Sequence, residues 1–440
     1  MSDADFRPVD VQQAKLGQLL FYDPILSGNR NISCGTCHHP QLGTGDGLAL
    51  SLGEGGVGMG PERVVDPQNV PEQRVPRNAQ PLFNLGANEY VRLFHDGRIE
   101  VDASRPSGLR TPLEDEMVAG FASLLSAQTM FPVLSPDEMA GHYSENDVSK
   151  AVRLGRITGP GGAWDIIAKR VEAIPEYHAA FAAIDNDIAA GGPITFVAIS
   201  DAVAAFMEFE WRSTDSPFDR HLAGERALDG EALEGLDLFY GAAGCAACHA
   251  GPLQTDHSFH AMGAPQIGPG KGARFETHAR DEGRMEVTGR AEDAFKFRTP
   301  SLRNVAITGP WGHAGAHTDL ADFITHHAAP RAAPWPALPP LPALQGADDG
   351  AIAADATERA EIVAAAHAQT SITAAEVAAL VAFLEALTGD RAVSGRLGVP
   401  ERVPSGLPVP QVSEGENGER ASPTSAPKLH TLAGADGAPG

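Results

Sequence analysis

The sequence predicts a mostly α-helical chain folded as two helical domains, with long irregular loops and a disordered C-terminal tail. Three observations carry that expectation. Apolar residues recur at helical spacing in five segments, strand patterning is sparse, and the four cysteines form two look-alike motifs far apart. A chain of 440 residues that is 42% hydrophobic can bury a core in each of two or three domains.

The elements follow in chain order. Helical spacing marks Val11 to Phe21, Phe196 to Trp211, Glu231 to Tyr240, Asp319 to His327 and Ala374 to Leu387. Gly43 to Pro76 and Gly263 to Asp281 are rich in Gly, Pro and charge without periodicity, and read as loops. Pro330 to Pro342, with six prolines, is expected to be an extended connection. From about Arg391 the composition cannot support a core, so residues 392–440 are expected to be a disordered tail. The domains are placed at 1–217 and 218–391, with the boundary near Ser213 to Asp219.

Charge excludes some partners. Lys plus Arg is 33 against 57 Asp plus Glu, a net charge of −24, which argues against nucleic acid or an anionic membrane and leaves room for a basic partner. No signal peptide is visible in Met1 to Asp23, and no apolar run is long enough to predict a membrane span.

The thiols are Cys34-Gly-Thr-Cys37-His38 and Cys245-Ala-Ala-Cys248-His249. Cys-X-X-Cys-His is the attachment signature of c-type haem: two thiols bond the porphyrin vinyls and the His is placed to ligate iron. A zinc ribbon wants its knuckles roughly 15–20 residues apart, whereas Cys34 and Cys245 are separated by 211 positions. A thioredoxin-like pair would follow a strand, and neither does. Structural disulfides would not need a His after each pair. Two covalent haems also account for an aromatic content of only 6%, because each porphyrin lends a flat apolar body to a small core. Covalent haem implies an exported, periplasmic protein.

Around these motifs the chain resembles the bacterial dihaem cytochrome c peroxidases and the related dihaem oxidases of methylamine utilisation. The matching segments are Leu16 to Ser27, Ser33 to His38, Arg77-Asn78, Asp96-Gly-Arg98, Phe239 to Pro252, Phe297 to Asn304 and Phe383 to Asp390. The resemblance runs from about residue 11 to 391. It implies two cytochrome c-like haem domains: an N-terminal haem that reduces hydrogen peroxide to water, and a C-terminal haem that stores and passes electrons. His38 and His249 take the proximal roles. The electrons would come from a small c-type cytochrome or copper protein. The alternative is a peroxide-dependent oxidase that modifies a Trp or Tyr of a partner protein through high-valent iron.

The resemblance also assigns roles on the distal sides. Gln128, Pro132 and Glu138 reproduce the family's spacing for the peroxidatic pocket, with Glu138 as the proton-moving carboxylate; without the match, Glu138 reads as an ordinary helix-start acid. The sixth ligand of the second haem falls on His327, with His326 as runner-up and a helix-capping pair as the bland reading. A structural calcium ion is implied at the Asn78 side chain and the carbonyls of Thr308 and Pro310. Arg284, Arg298 and Arg303 are expected at propionates or the domain interface, or else in ordinary salt bridges.

Two departures stand out. His95 occupies the position of the family's inter-haem Trp, which leaves Trp164, Trp211 and Trp311 as other relay candidates. The chain has no His from Pro40 to Phe94, and its glycine-rich loop Gly53 to Gly60 could move but offers only Met59 as a ligand, so the first haem is expected to be open without prior reduction.

Overall fold

The structure is a computed structural model, and it describes residues 1–142, 144–268, 280–347, 349–366 and 370–412. All five expected helices are present. Asp10 caps α1 (Val11–Tyr22) by accepting from the backbone of Gln12 and Gln13. A short helix, α2 (Leu124–Thr129), follows, and then α3 (Phe196–Glu210), whose N-terminus is capped by Thr195. The second half contributes α4 (Gly230–Tyr240), α5 (Leu320–Ala328), capped by Asp319, and α6 (Ala374–Glu385), opened by a Thr373–Glu376 capping box. Among the described residues the strands are only two or three residues long.

The two halves repeat one packing unit. In the first, α1 crosses α3 so closely that a methyl on Gly17 would lie 1.8 Å from the Ala202 carbonyl oxygen and 2.9 Å from the Phe206 Cβ. In the second, α4 crosses α6, and a methyl on Gly235 would lie 1.9 Å from the Ala379 oxygen and 2.8 Å from the Phe383 Cβ. Phe21 meets Phe206 at 5.2 Å, and Phe239 meets Phe383 at 5.1 Å. The sequence carries this repeat as Gly-X-X-Leu-Phe-Tyr at Gly17 and Gly235, and as Ala-X-X-Ala-Phe at Ala202 and Ala379. Glycine is required because the backbones touch.

Each crossing nucleates a core. The larger one gathers α1, α2, α3 and residues between them, with Leu253, Ala392 and Val403 joining from the second half. The smaller one is built from Phe218, Phe239, Trp311, Leu320, Phe383 and Leu387, among others.

One expectation is corrected. Residues 392–412, read as the start of a disordered tail, form an ordered strap across the first half. Glu210 accepts from the backbone of Arg396, Leu397 and Gly398 at 3.0, 2.6 and 2.8 Å, Gln18 donates to the carbonyls of Leu397 and Gly398, and Ser405 donates to Asp23 at 2.6 Å. Leu397, Val399, Leu407 and Val409 pack on the larger core. The composition cannot build a core of its own, but here it borrows one; the partners are close to 200 or more positions distant and invisible to local reading. Residues 413–440 lie outside the described residues, as does part of the loop expected at Gly263 to Asp281.

Candidate functional site

Both Cys-X-X-Cys-His motifs open onto one cavity of about 1330 Å³ that runs between the halves. A pocket for a single drug-sized ligand spans about 300–1,000 Å³, so this space suits more than one large group. All four cysteines line its wall, and none is joined in a disulfide. His38 and His249 each present Nδ1 to a carbonyl oxygen, Thr44 at 2.9 Å and Gln254 at 3.0 Å. A carbonyl only accepts, so Nδ1 carries the proton in both rings and Nε2 is left with a free lone pair. Burial lowers both pKa values and keeps the rings neutral, as metal ligation requires. Thiols, cavity and tautomers therefore fit two haems.

At the first motif, Gln128 from α2, Pro132, and Glu138 from the short Pro136–Ala140 helix line the same cavity. Burial pushes the Glu138 carboxyl up to about 7, with Arg98 pulling the other way. It lies close enough to the thiols of Cys34 and Cys37 to raise them electrostatically, on top of the larger effect of their burial. The Gln128 Oε1 is buried without a partner and is thus ready to accept a hydrogen bond. Gly53 backs this segment: its missing Cβ would sit 2.0 Å from the Asp137 carbonyl oxygen.

The glycine-rich loop is tied down rather than free. The Arg63 guanidinium donates to the carbonyls of Leu52, Gly53 and Gly58 at 2.5, 2.8 and 2.7 Å, while the Glu54 carboxylate accepts from Asn29, Asn31 and Asn69. Met59 does not line the cavity.

At the second motif, α5 presents His327 to His249 with the ring centres 6.2 Å apart. Two metal–nitrogen bonds of about 2 Å, plus about 1 Å from each nitrogen to its ring centre, span about 6 Å, so one iron fits between them. Burial and the neighbouring histidines lower His327 to about 3. His326 turns away: it lies against the Gly263 carbonyl at 3.3 Å and the His317 ring at 5.1 Å, and is absent from the cavity wall.

Between the motifs, His95, Phe297 and His313 form a stack, the last two rings 4.0 Å apart. His95 Nε2 lies 2.8 Å from Asp281, which also pairs with Arg77; against the effect of burial, the Arg77 guanidinium and the contact with His95 hold the Asp281 carboxyl well below its usual range. This buried cluster escaped the sequence reading, because His95 and Asp281 are 186 positions apart. Trp311 lines the cavity, whereas Trp164 and Trp211 do not.

Asn78, Thr308 and Pro310 also border the cavity. The Asn78 amide nitrogen donates to the Leu48 carbonyl at 2.7 Å, so its oxygen is the end available to a hard cation. Arg284 bonds Glu100 and the carbonyls of Asp96 and Gly97 across the halves, Arg303 bonds Asp219 at 2.8 Å, and Arg298 faces the cavity.

No described helix is long and apolar enough to cross a membrane. Residues 11–227 match the family described as di-haem cytochrome c peroxidase. The cytochrome-c peroxidase IdrP1 of Denitromonas iodatirespirans is 30% identical, over 73% of this chain and 74% of its own length. The methylamine utilization protein MauG of Methylorubrum extorquens is 29% identical, over 73% of this chain and 69% of its own. A solved MauG-like protein associated with microbial copper homeostasis superposes with a TM-score of 0.59 at 25% identity, covering 91% of this chain and 96% of that one. Two Cys-X-X-Cys-His motifs on one cavity, with a relative 30% identical over 74% of its own length, place the chain in the di-haem cytochrome c peroxidase family of oxidoreductases.

Proposed function

We propose that the chain reduces hydrogen peroxide at the His38 site, with electrons that enter at the His249 site from a small c-type cytochrome or copper protein. The observation that carries this reading is the asymmetry of the shared cavity: a buried carboxyl and an unpartnered amide oxygen at one motif, a facing histidine at the other. In this reading Cys34 and Cys37 hold one c-type haem in a domain of residues 1–217, and Cys245 and Cys248 hold the other in residues 218–391. When bound, the haems supply iron that binds peroxide at one site and stores single electrons at the other.

The protein's part is proton management. Glu138, with a pKa near neutrality, takes the proton from the near peroxide oxygen and delivers it to the far one, so that hydroxide does not leave unprotonated. Two electrons and two protons convert one peroxide into two waters. Gln128 offers its oxygen to the peroxide O–H and orients it, and Pro132 shapes the wall beside it. His327 closes the second site against exogenous ligands. If it ligates iron there, its imidazole would favour the ferric state more than a thioether would, and so would lower the potential of the haem held at that site. The Asn78 side-chain oxygen and the carbonyls of Thr308 and Pro310 would hold a calcium ion, which would stiffen the seam between the halves, and the chain works in the periplasm.

A second reading, a peroxide-dependent oxidase acting on a Trp or Tyr of a partner protein, draws support from the anchored Gly53–Gly60 loop. With Arg63 holding that loop and Met59 off the cavity wall, the distal face of His38 is left to Glu138 and Gln128 without any prior reduction. One experiment separates the two. Stoichiometric peroxide is added to the fully oxidised holoprotein, and then a reduced cytochrome c, with both spectra followed. Fast, repeated donor oxidation is expected. Slow donor oxidation with a long-lived altered spectrum moves the assignment to the second reading, and no response to peroxide overturns both in favour of an electron carrier.

A further inference from the structure

We infer that Arg63 is a positioning residue for Glu138: its guanidinium folds the glycine-rich loop into a fixed template, and the backbone of that loop holds the short helix that carries the carboxyl. This rests on the peroxidase reading above and names what keeps its proton-moving group in place.

The first observation is how Arg63 is held. Its side chain is 4% exposed, and all three of its nitrogens donate to loop carbonyls: Nε to Leu52, Nη2 to Gly53 and Nη1 to Gly58. The loop wraps so closely that a methyl on Gly56 would lie 2.5 Å from Nε. Glycine here serves close approach to a guanidinium rather than movement. A buried cation needs carboxylates nearby. Asp46 and Glu54, both buried, supply that field, and the amides of Asn29, Asn31 and Asn69 fix Glu54 in turn.

The second observation is what the loop touches on its other side. The Glu54 N–H donates to the Asp137 carbonyl at 3.2 Å, and a methyl on Gly53 would lie 2.8 Å from the Glu138 Cα. Gln73 donates to the Asp137 carboxylate at 2.6 Å, and the Gly28 N–H donates to the Met139 carbonyl at 2.7 Å. Both chain neighbours of Glu138 are thus tied to backbone or side chains outside their own helix. Pro136–Ala140 is only five residues long, too short to hold itself, so the place of Glu138 is set by what it leans on. The charged groups that face its carboxyl are Arg98 and Asp137, and the nearby Cys34 and Cys37 are uncharged thioethers once haem is attached. Arg63 therefore acts on Glu138 through the loop backbone.

The test compares Arg63→Leu and Arg63→Lys with the wild-type holoprotein. Amide hydrogen exchange, read by mass spectrometry, is expected to rise in residues 52–60 and 135–141 together in Arg63→Leu, while the spectrum of the second site stays unchanged. In turnover kcat/KM for peroxide should fall about 10²-fold. Its pH inflection should move from about 7 down toward the ordinary carboxylate range, because a loosened helix admits water to the carboxyl. Arg63→Lys keeps the charge and loses the fork, so it should fall between the two; it carries the test if Arg63→Leu does not assemble. Exchange that rises in 52–60 alone overturns the proposal, and so does an unmoved inflection in both variants, which would leave Arg63 a purely structural role. A wild type that does not react with peroxide sinks the peroxidase reading by itself, and the exchange experiment still decides whether Arg63 holds the helix of Glu138.

Discussion

The two Cys-X-X-Cys-His sites are built on one frame and finished differently. Each follows a helix that crosses a partner at a glycine, each motif histidine donates Nδ1–H to a carbonyl a few residues on, and each opens on the same cavity. At the first motif the middle residues Gly35 and Thr36 are buried, and Glu138 and Gln128 line the cavity; at the second, Ala247 is exposed and the motif histidine faces His327. The frame decides that a cofactor can be held. In the proposed function, what stands across from the histidine sets whether a small oxidant is processed there or only electrons pass.

The sharpest way to break that contrast is to remove the carboxyl. Glu138→Gln keeps shape and hydrogen bonding but cannot carry a proton, and kcat/KM for peroxide is expected to fall by about 10²- to 10⁴-fold. The pH profile gives the sign. A base with its pKa near 7 is protonated below that value, so log kcat/KM should rise with pH and level off above about 7, and the inflection should vanish in the variant. Stopped-flow peroxide binding across pH measures both. An unshifted inflection assigns the titration to another group.

The second site is tested by His327→Ala. Loss of the facing ring should convert the second haem from a six-coordinate low-spin to a high-spin or water-bound spectrum, while the first is unchanged. His326→Ala, whose ring lies against Gly263 and His317, should leave the spectrum intact. A persistent low-spin signal in His327→Ala would mean that α5 can turn His326 inward.

How much of this was legible in the sequence follows from distance along the chain. The haem motifs, the five helices and the acidic balance are local or additive properties, and local reading found them. Glu138 and His327 were placed only through the family's spacing, since nothing nearby says that either faces a motif histidine. The Arg77–His95–Asp281 cluster and the strap depend on partners roughly 190 or more positions apart, which no periodicity reports. The glycine repeat was legible: Gly17-X-X-Leu-Phe-Tyr and Gly235-X-X-Leu-Phe-Tyr stand in plain view, and self-comparison of the halves would have found them.

That repeat permits the same lesion to be made twice. Gly17→Ala and Gly235→Ala each drive a methyl into a facing carbonyl, and overpacking of this kind costs about 1–3 kcal/mol. The cost depends on how far the helix can retreat. Around α1, Gln18 is bonded to the strap, and Asp23 at its C-terminus holds both Ser405 and Tyr177, so retreat would break several buried bonds. The outer face of α4 has no such cover, with Glu231, Leu233, Glu234 and Asp237 all exposed, and the helix is free to move outward. Urea denaturation followed by circular dichroism should therefore show the larger loss for Gly17→Ala. Equal losses would mean that the crossing alone sets the penalty and that the strap adds nothing to the rigidity of the first half. A larger loss for Gly235→Ala would mean that the smaller core, with fewer contacts to share the strain, is the weaker of the two, and would place the more deformable frame at the Cys245–His249 motif.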